Sequence, residues 1–338
     1  MGNYVFWLSE LGKEHSAMMG KKCANLGEIL KLKLQAPHGF AISVEAYQDF
    51  LSDTGVIEEI RRILSKFSAG INDIDLYNKV SEELRAVVIA QDIPQGMKKS
   101  ILSYYRALCQ KCNVAHAAVS TRSAGPLSRP GQYETYLNVL GEADLLQRIK
   151  MVWASSFNPR SLAYREQRAM PLESDPIGVA VLKMVNAKTA GVLFTADPNT
   201  GDTSKMIIEA NWGLGESVVS GEAMPDIYYL NKGNLEVTQK TLGQKIKYVT
   251  FQETGITEAV TPVDQRSVFC LNDEEIREIG RMGKILEEHF GVPQDVEWAI
   301  DRDFAFPESV MLLQTRAAKI TPPKSPIDQV ADLMVKWL

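Results

Sequence analysis

The character of the chain changes near Pro176. Before it, apolar residues recur at helical spacing, which predicts helices over 24–34, 56–67, 75–91, 95–112, 142–155 and 158–168, together with an N-cap at Ser43 and a strand over 114–120. After it come β-rich runs such as IGVAVLKMV, AGVLFTAD and KMIIEANW, separated by Gly, Pro, Asn and Asp, with one further helix over 273–290 that Asn272 or Asp273 would cap. The pattern predicts an α+β enzyme with an α-rich lobe over 1–175, a β-rich lobe over 176–322 and a cleft between the lobes. A linker and an amphipathic terminal helix are expected over 323–338.

Charge and apolar patterning exclude several classes of protein. The 338 residues carry a net charge of −5 and no long basic run, which argues against wholesale nucleic-acid binding. No apolar stretch reaches the ~18 residues of a membrane span, and the acidic N-terminus MGNYVFWLSELGKEH is not a secretory signal. Cys109 and Cys112 form a CxxC without a second pair, so structural thiols are expected. We expect a cytoplasmic chain that engages neither nucleic acid nor membrane.

The stretch VSTRSAGPLSRPGQYETYLNV, residues 119–139, joins two predicted strands through a long loop. Arg122 ends the first strand, and its planar guanidinium suits phosphate oxygens. Gly125 and Gly131 allow close approach of the backbone to a ligand, while Pro126 and Pro130 restrict the loop. A long surface turn is the alternative interpretation.

A second basic feature is GKKCANLGE, residues 20–28. A Gly before two Lys opens a predicted helix, where N–H groups and the Lys22 ammonium would favour an anion. A solvated basic pair on a surface helix is the alternative, and the motif alone is weak.

The closing strands, QDVEWAID and VMLLQTR, place polar residues two apart. Asp295 and Glu297 share one face of their strand, and Leu312, Gln314 and Arg316 share one face of theirs. If the strands are neighbours, carboxylates that suit Mg²⁺ lie beside a guanidinium that suits phosphate. The alternative is a solvated face with a surface salt bridge.

A glycine-rich segment, EANWGLGESVVSGEAMPD, covers residues 209–226 and mixes Gly with acids. Glycines beside carboxylates favour close approach to a ligand, near a ribose or a metal, and we assign Glu209 to cofactor contact. A common glycine-rich turn is the alternative.

These blocks together resemble the N-terminal nucleotide-binding domain of the phosphoenolpyruvate synthase and pyruvate phosphate dikinase family. The resemblance runs from about residue 10 to 322 through GKKCANLGE, PHGFAISVEAYQDFL, TRSAGPLSRPGQYETYLNV, WASSFNPRSLAYR, AGVLFTADPNTGD, EANWGLGESVVSGEAMPD and PQDVEWAID…LLQTR. It implies a two-lobed ATP-grasp-like fold that uses ATP and Mg²⁺.

The resemblance also implies roles for individual positions. Nucleotide contacts fall on Lys22, Arg122, Glu297 and the adenine hinge residues Lys183, Met184 and Val185. Metal binding falls on Asp295, Glu297 and Gln314, and catalysis on Arg122, Gln314 and Arg316. Two positions depart from the pattern: Lys21 replaces a Gly, and Lys183 stands where synthases usually have Gln.

The full family enzymes carry phosphate on a His in a separate domain, and no such motif surrounds His15, His38, His116 or His289. We therefore expect a partner subunit that carries the phosphohistidine and the site for a small-molecule acceptor. The main interpretation is a stand-alone subunit that resembles that of phenylphosphate synthase. It would act on a phenolic acceptor and convert ATP to AMP and phosphate. Met1 and the Pro-rich ending favour a whole polypeptide, with the terminal helix as a docking element or a trailing helix.

Two alternatives stay open. One is an excised ATP-binding domain of phosphoenolpyruvate synthase or rifampicin phosphotransferase. A non-catalytic nucleotide-sensing module is the other, and the joint presence of Lys22, Arg122, Glu297, Gln314 and Arg316 argues against it.

Overall fold

A computed structural model describes residues 3–66, 74–126, 132–219, 221, 224–253 and 255–320. Contacts divide the chain into two compact units. Unit 1 comprises Met1–Met184 with Phe251–Ile256, and unit 2 comprises Val185–Thr250 with Thr257–Leu338. The division after Met184 lies later than the expected 175/176 boundary, because the strand that follows Pro176 pairs within the sheet of unit 1.

Unit 1 combines a sheet with eight helices among its described residues. Its strands are β1 (Val5–Trp7), β2 (Gly39–Ile42), β3 (Val119–Ala124), β4 (Thr135–Val139) and β5 (Gly178–Lys183). Its helices are α1 (Ser16–Met19), α2 (Lys21–Lys31), α3 (Val44–Asp53), α4 (Val56–Leu64), α5 (Ile74–Ala90), α6 (Gln95–Lys111), α7 (Gly141–Ala154) and α8 (Pro159–Gln167). The Ser43 hydroxyl accepts from Ala46 N at the start of α3, which confirms the N-cap predicted there.

The sheet of unit 1 has the order β1-β2-β5-β3-β4, and its neighbouring strands are antiparallel. One face bears large apolar side chains, including Phe40, Val119 and Val181, which pack with residues of α3 to α7 in the main core. The other face carries Ala41, Ala180 and Arg122, since Ala180 pairs with both of the others. Arg122 therefore lies on the face of the sheet opposite to the main core.

Unit 2 is built on a six-stranded antiparallel sheet of order β13-β12-β6-β7-β8-β9. These strands are β6 (Ala187–Phe194), β7 (Lys205–Trp212), β8 (Asp226–Asn231), β9 (Val237–Thr241), β12 (Gln294–Asp301) and β13 (Val310–Ala317). A two-stranded ribbon is formed by β10 (Lys247–Phe251) and β11 (Ile256–Val260), and helices are α9 (Glu216–Val219), α10 (Val263–Arg266) and α11 (Asp273–Phe290).

One face of the larger sheet is covered by α11. Two glycines of this helix allow close packing: a Cβ at Gly283 would lie 2.3 Å from Leu193 Cδ2, and one at Gly280 would lie 2.9 Å from Leu230 Cδ2. Asn272 caps the helix by accepting from Glu275 N, as the sequence predicts. Val296 pairs with Leu193 and lies on this covered face, so Asp295, Glu297, Gln314 and Arg316 lie on the opposite face.

The mixed content of helices and sheet confirms the α+β class, while the ATP-grasp-like arrangement stays a prediction. The predicted strand over 114–120 begins only at Val119, since 114–118 form turns and coil. The linker and terminal helix lie outside the described residues. No helix in the described part of the chain is long and apolar enough to cross a membrane.

Candidate functional site

Lys22 and Arg122 of unit 1 each lie near the buried thiol of Cys23. Burial raises the pKa of the Cys23 thiol to about 12, and the positive charges of Lys22 and Arg122 both oppose that rise. Cys23 is fully buried and follows Lys22 in the first turn of α2, so both cations lie near this helix start. Two cations beside a helix N-terminus form an electrostatic environment suited to phosphate.

Gly20 determines how the start of α2 meets the end of β3. It has φ +80° and ψ 153°, a conformation that side chains rarely adopt, and a Cβ there would lie 2.1 Å from Ala124 O. Lys21 N donates to Gly125 O at 3.1 Å, which joins the helix to the chain just after the strand. The close approach of these backbones requires a glycine. Arg129, Pro130 and Gly131 of the same loop lie outside the described residues.

The unit 2 site begins with two cross-strand pairs on β12 and β13. Glu297 pairs with Gln314, whose Nε2 donates to Glu297 Oε1 at 3.0 Å. Asp295 pairs with Arg316, whose Nε and Nη2 lie 2.8 and 2.7 Å from Asp295 Oδ2. The expected shared face of these four side chains is confirmed.

Leu312 does not share that face, contrary to the alternation predicted for β13. A β-bulge shifts the register between Glu297 and Trp298, so that Trp298 pairs with Leu312. Both of these side chains are fully buried, and Leu312 therefore faces the core with Trp298. Along the strands, the polar pairs Asp295–Arg316 and Glu297–Gln314 lie on one side of the bulge, and the buried pair Trp298–Leu312 lies on the other side.

Glu209 belongs to the same face as the two pairs. Val192 on β6 pairs with both Glu297 on β12 and Glu209 on β7, so the three residues form one row across the sheet. Burial raises the pKa of Glu209, and the nearby charge of Asp295 raises it further. Burial also raises the pKa of Asp295, against the lowering effect of Arg316. Three carboxyl groups are thus held on one partly buried face.

The donor chemistry of this face suits Mg²⁺. Carboxylate and amide oxygens are hard ligands, and Mg²⁺ commonly takes one or two carboxylates with phosphates and waters. Among the described residues no group of three or more His, Cys, Asp or Glu side chains is arranged to hold a metal ion alone. Glu297, with Gln314 and Asp295 beside it, fits a metal that also binds nucleotide phosphates.

The three predicted hinge residues lie where the chain passes from unit 1 to unit 2. Lys183 N donates to His38 O, Met184 N donates to Ala118 O, and Lys183 Nζ donates to Met184 O at 3.1 Å. Because Lys183 pairs with Val119, it faces the core side of the sheet, opposite to Arg122. Val185 is buried. The structure does not place the Lys183 side chain with Lys22 and Arg122.

Asp226, at the end of the glycine-rich segment, has a structural role. It is fully buried, and its Oδ1 accepts from Lys245 Nζ at 2.5 Å and from Gly243 N at 2.8 Å. Its Oδ2 accepts from Cys270 N at 2.8 Å. Both oxygens of this carboxylate are therefore engaged by groups of the protein itself. Lys245 lies 19 residues further along the chain, and periodicity gives no signal for that pairing.

Residues 16–334 match the family described as pyruvate phosphate dikinase, AMP/ATP-binding domain. The chain belongs to this family. It is an ATP-binding domain of the phosphoenolpyruvate synthase and pyruvate phosphate dikinase group, whose members are phosphotransferases.

Relatives include probable phosphoenolpyruvate synthases of two archaea. The protein of Methanocaldococcus jannaschii is 35% identical over 306 residues, covering 88% of this chain and 26% of the relative. The protein of Methanothermobacter thermautotrophicus is 35% identical over 323 residues, covering 94% and 46%. Phosphoenolpyruvate synthase of Aeropyrum pernix is 32% identical over 343 residues, covering 92% and 42%. The chain thus spans less than half the length of these relatives.

Proposed function

We propose that this chain binds Mg-ATP and passes phosphoryl groups to a histidine outside it, as the nucleotide-binding part of a phosphoenolpyruvate synthase-like phosphotransferase. The observation that carries the proposal is the pair of cross-strand contacts, Glu297 with Gln314 and Asp295 with Arg316, on one face of the sheet. Membership of the AMP/ATP-binding domain family supports ATP as the nucleotide bound.

The roles follow from charge and position. Lys22 and Arg122 neutralise ATP phosphates at the start of α2, where the helix dipole adds a partial positive charge. Arg316 stabilises negative charge on the phosphoryl group in transit, and Asp295 holds its guanidinium by two nitrogens. Gln314 donates to Glu297 and thereby fixes the direction of the other carboxylate oxygen. A magnesium ion held by Glu297 would supply charge neutralisation at the phosphates.

The names of the relatives favour a synthase of phosphoenolpyruvate over the phenylphosphate synthase interpretation. In this proposal the β- and γ-phosphates of ATP move to a histidine and AMP leaves; water then releases the γ-phosphate as inorganic phosphate, and the β-phosphate passes from the histidine to pyruvate. The histidine and the acceptor site lie on polypeptide that this chain does not span, either a partner subunit or further domains. A phenolic acceptor has no support from the relatives, and no observation favours rifampicin as acceptor.

Calorimetric titration with ATP tests the nucleotide assignment. Lys22→Ala and Arg122→Ala should each weaken ATP binding roughly 10- to 100-fold, the cost of one charge-assisted hydrogen bond. Lys21→Ala is the matched control, because Lys21 is the exposed neighbour on the same helix and should change affinity less than about 2-fold. If both test variants bind ATP like the parent chain, the proposed nucleotide site is wrong.

A further inference from the structure

The chain that follows Arg122 returns to the sheet at β4, the edge strand. Arg122 and Thr135 are direct partners in the β3–β4 ladder, and Thr121 pairs with Tyr136. Within the described residues β4 pairs with β3 alone, so side-chain contacts made by residues 132–136 add to that single ladder in holding its backbone. We define these five residues as the stem.

Glu134 is the central anchor of the stem. Its Oε1 accepts from Arg85 Nη2 on α5 at 2.7 Å, and its Oε2 accepts from the Tyr136 hydroxyl. The side chains of Arg85 and Glu134 are each 29% exposed, so solvent screens the pair only partly. The Arg148 guanidinium on α7 lies 5.1 Å from the centre of the Tyr136 ring.

Two further contacts hold the residues before Glu134. The Tyr133 hydroxyl donates to Asp175 Oδ2, and Asn158 Nδ2 donates to the carbonyl of Gln132 at 3.4 Å. The stem is therefore tied to α5, to the start of α8 and to the segment before β5.

These ties act from the side of the sheet opposite to the Arg122 side chain. Tyr136 and its partner Thr121 face the core, and Glu134, two residues before Tyr136, meets α5 on that side. Arg122 and Thr135 face the other way. Arg85 and Glu134 thus have no direct path to a ligand held by Arg122, and they can affect it only through the β3–β4 backbone.

We propose that the Arg85–Glu134 ion pair is a positioning device for Arg122, fixing the β4 backbone so that the guanidinium is aimed at the nucleotide phosphates. The inference rests on the proposed function, since it needs phosphates as the ligand of Arg122. Small displacements of a phosphate-binding group are costly, because charge-assisted hydrogen bonds depend strongly on direction.

The test compares ATP with adenosine, which lacks phosphates. Glu134→Gln removes the charge with little change of shape, and it should weaken ATP binding roughly 5- to 20-fold and adenosine binding less than about 2-fold. In an Arg122→Ala background the same substitution should add less than about 2-fold to the loss of ATP affinity. Glu142→Gln, which breaks the exposed Arg106–Glu142 pair of the same unit, is the matched control and should leave both affinities unchanged.

Four outcomes overturn the inference. Equal losses for ATP and adenosine would mark Glu134 as a merely structural residue, and so would losses that add to those of Arg122→Ala. An unchanged ATP affinity in Glu134→Gln would show that the pair positions nothing. If Arg122→Ala itself binds ATP normally, the proposed function fails together with the inference. If Arg122→Ala weakens ATP binding but Glu134→Gln does not, the positioning role is wrong while the proposed function stands.

Discussion

Gln314 and Glu297 are direct partners across the β12–β13 ladder, and the amide Nε2 donates to the carboxylate Oε1 at 3.0 Å. Gln314 is buried, whereas Glu297 is partly exposed, so the amide is a fixed donor and the carboxylate keeps a face toward solvent. In the proposed site this hydrogen bond would orient the Glu297 carboxylate toward a metal ion.

Gln314→Ala should therefore raise the Mg²⁺ concentration needed for phosphoryl transfer several-fold, because Glu297 loses its orientation. Glu297→Gln should lower the transfer rate on the order of 100-fold, since the charge itself is lost. Glu308→Gln, in the exposed turn between the same strands, is the control. Rates measured across a Mg²⁺ titration check the prediction, and an identical Mg²⁺ dependence in Gln314→Ala would contradict it.

Glu209 should make the fold less stable as pH rises. Its pKa is raised in the folded chain by burial and by Asp295, so the folded state holds the proton more tightly than the unfolded state. Stability is then lost as pH increases from the unfolded pKa through the raised folded one. Glu209→Gln removes this loss and should melt at higher temperature than the parent near neutral pH. Below about pH 4 the two should melt alike, and a lower melting temperature at neutral pH would refute the assignment.

Gly20→Ala should weaken both folding and ATP binding. The new Cβ meets Ala124 O at 2.1 Å, and the φ of +80° is strained for a side chain. Gly55→Ala is the control, because Gly55 has φ +71° with nothing within 4 Å of an added Cβ. Chemical denaturation should show a loss of about 1 kcal/mol for Gly55→Ala and a larger loss for Gly20→Ala. Equal losses would show that the close approach to β3 is not a constraint.

Lys245→Met should destabilise the chain by about 3–5 kcal/mol, because it leaves the buried Asp226 carboxylate without its cation. Lys247→Met, two residues further along, breaks an exposed pair with Glu258 and should cost less than about 1 kcal/mol. Denaturant titrations of both variants measure the difference. A cost for Lys245→Met near that of the control would mean that Asp226 is not the structural centre described above.

Sequence patterning predicted the face of Asp295, Glu297, Gln314 and Arg316, because period-two alternation holds wherever a strand stays regular. It failed for Leu312, since a single bulge reverses every side chain beyond it and leaves no periodic signal. The α+β class and both helix caps were also predictable, because propensity and capping are local in sequence.

Long-range relationships were not predictable in the same way. The predicted boundary was 175/176, but β5 pairs within the sheet of unit 1, so the chain divides after Met184. Strand pairing of this kind is decided by contacts between residues that are distant in sequence. The placement of Lys183 opposite to Arg122 follows from the same register. The burial of Asp226 depends on Lys245 and Cys270, whose approach no short motif encodes.

Phosphoryl transfer from ATP to a histidine, on which the proposed function depends, can be measured directly. The chain is incubated with ATP labelled at the β-phosphate, Mg²⁺ and the polypeptide region of a phosphoenolpyruvate synthase that this chain does not span. We predict AMP release and acid-labile label on a histidine of that region. Both should be abolished in Arg316→Ala and retained in Arg281→Ala, because Arg281 is an exposed arginine of α11 paired with Glu278. Formation of ADP without labelled histidine, or transfer undiminished in Arg316→Ala, would contradict it.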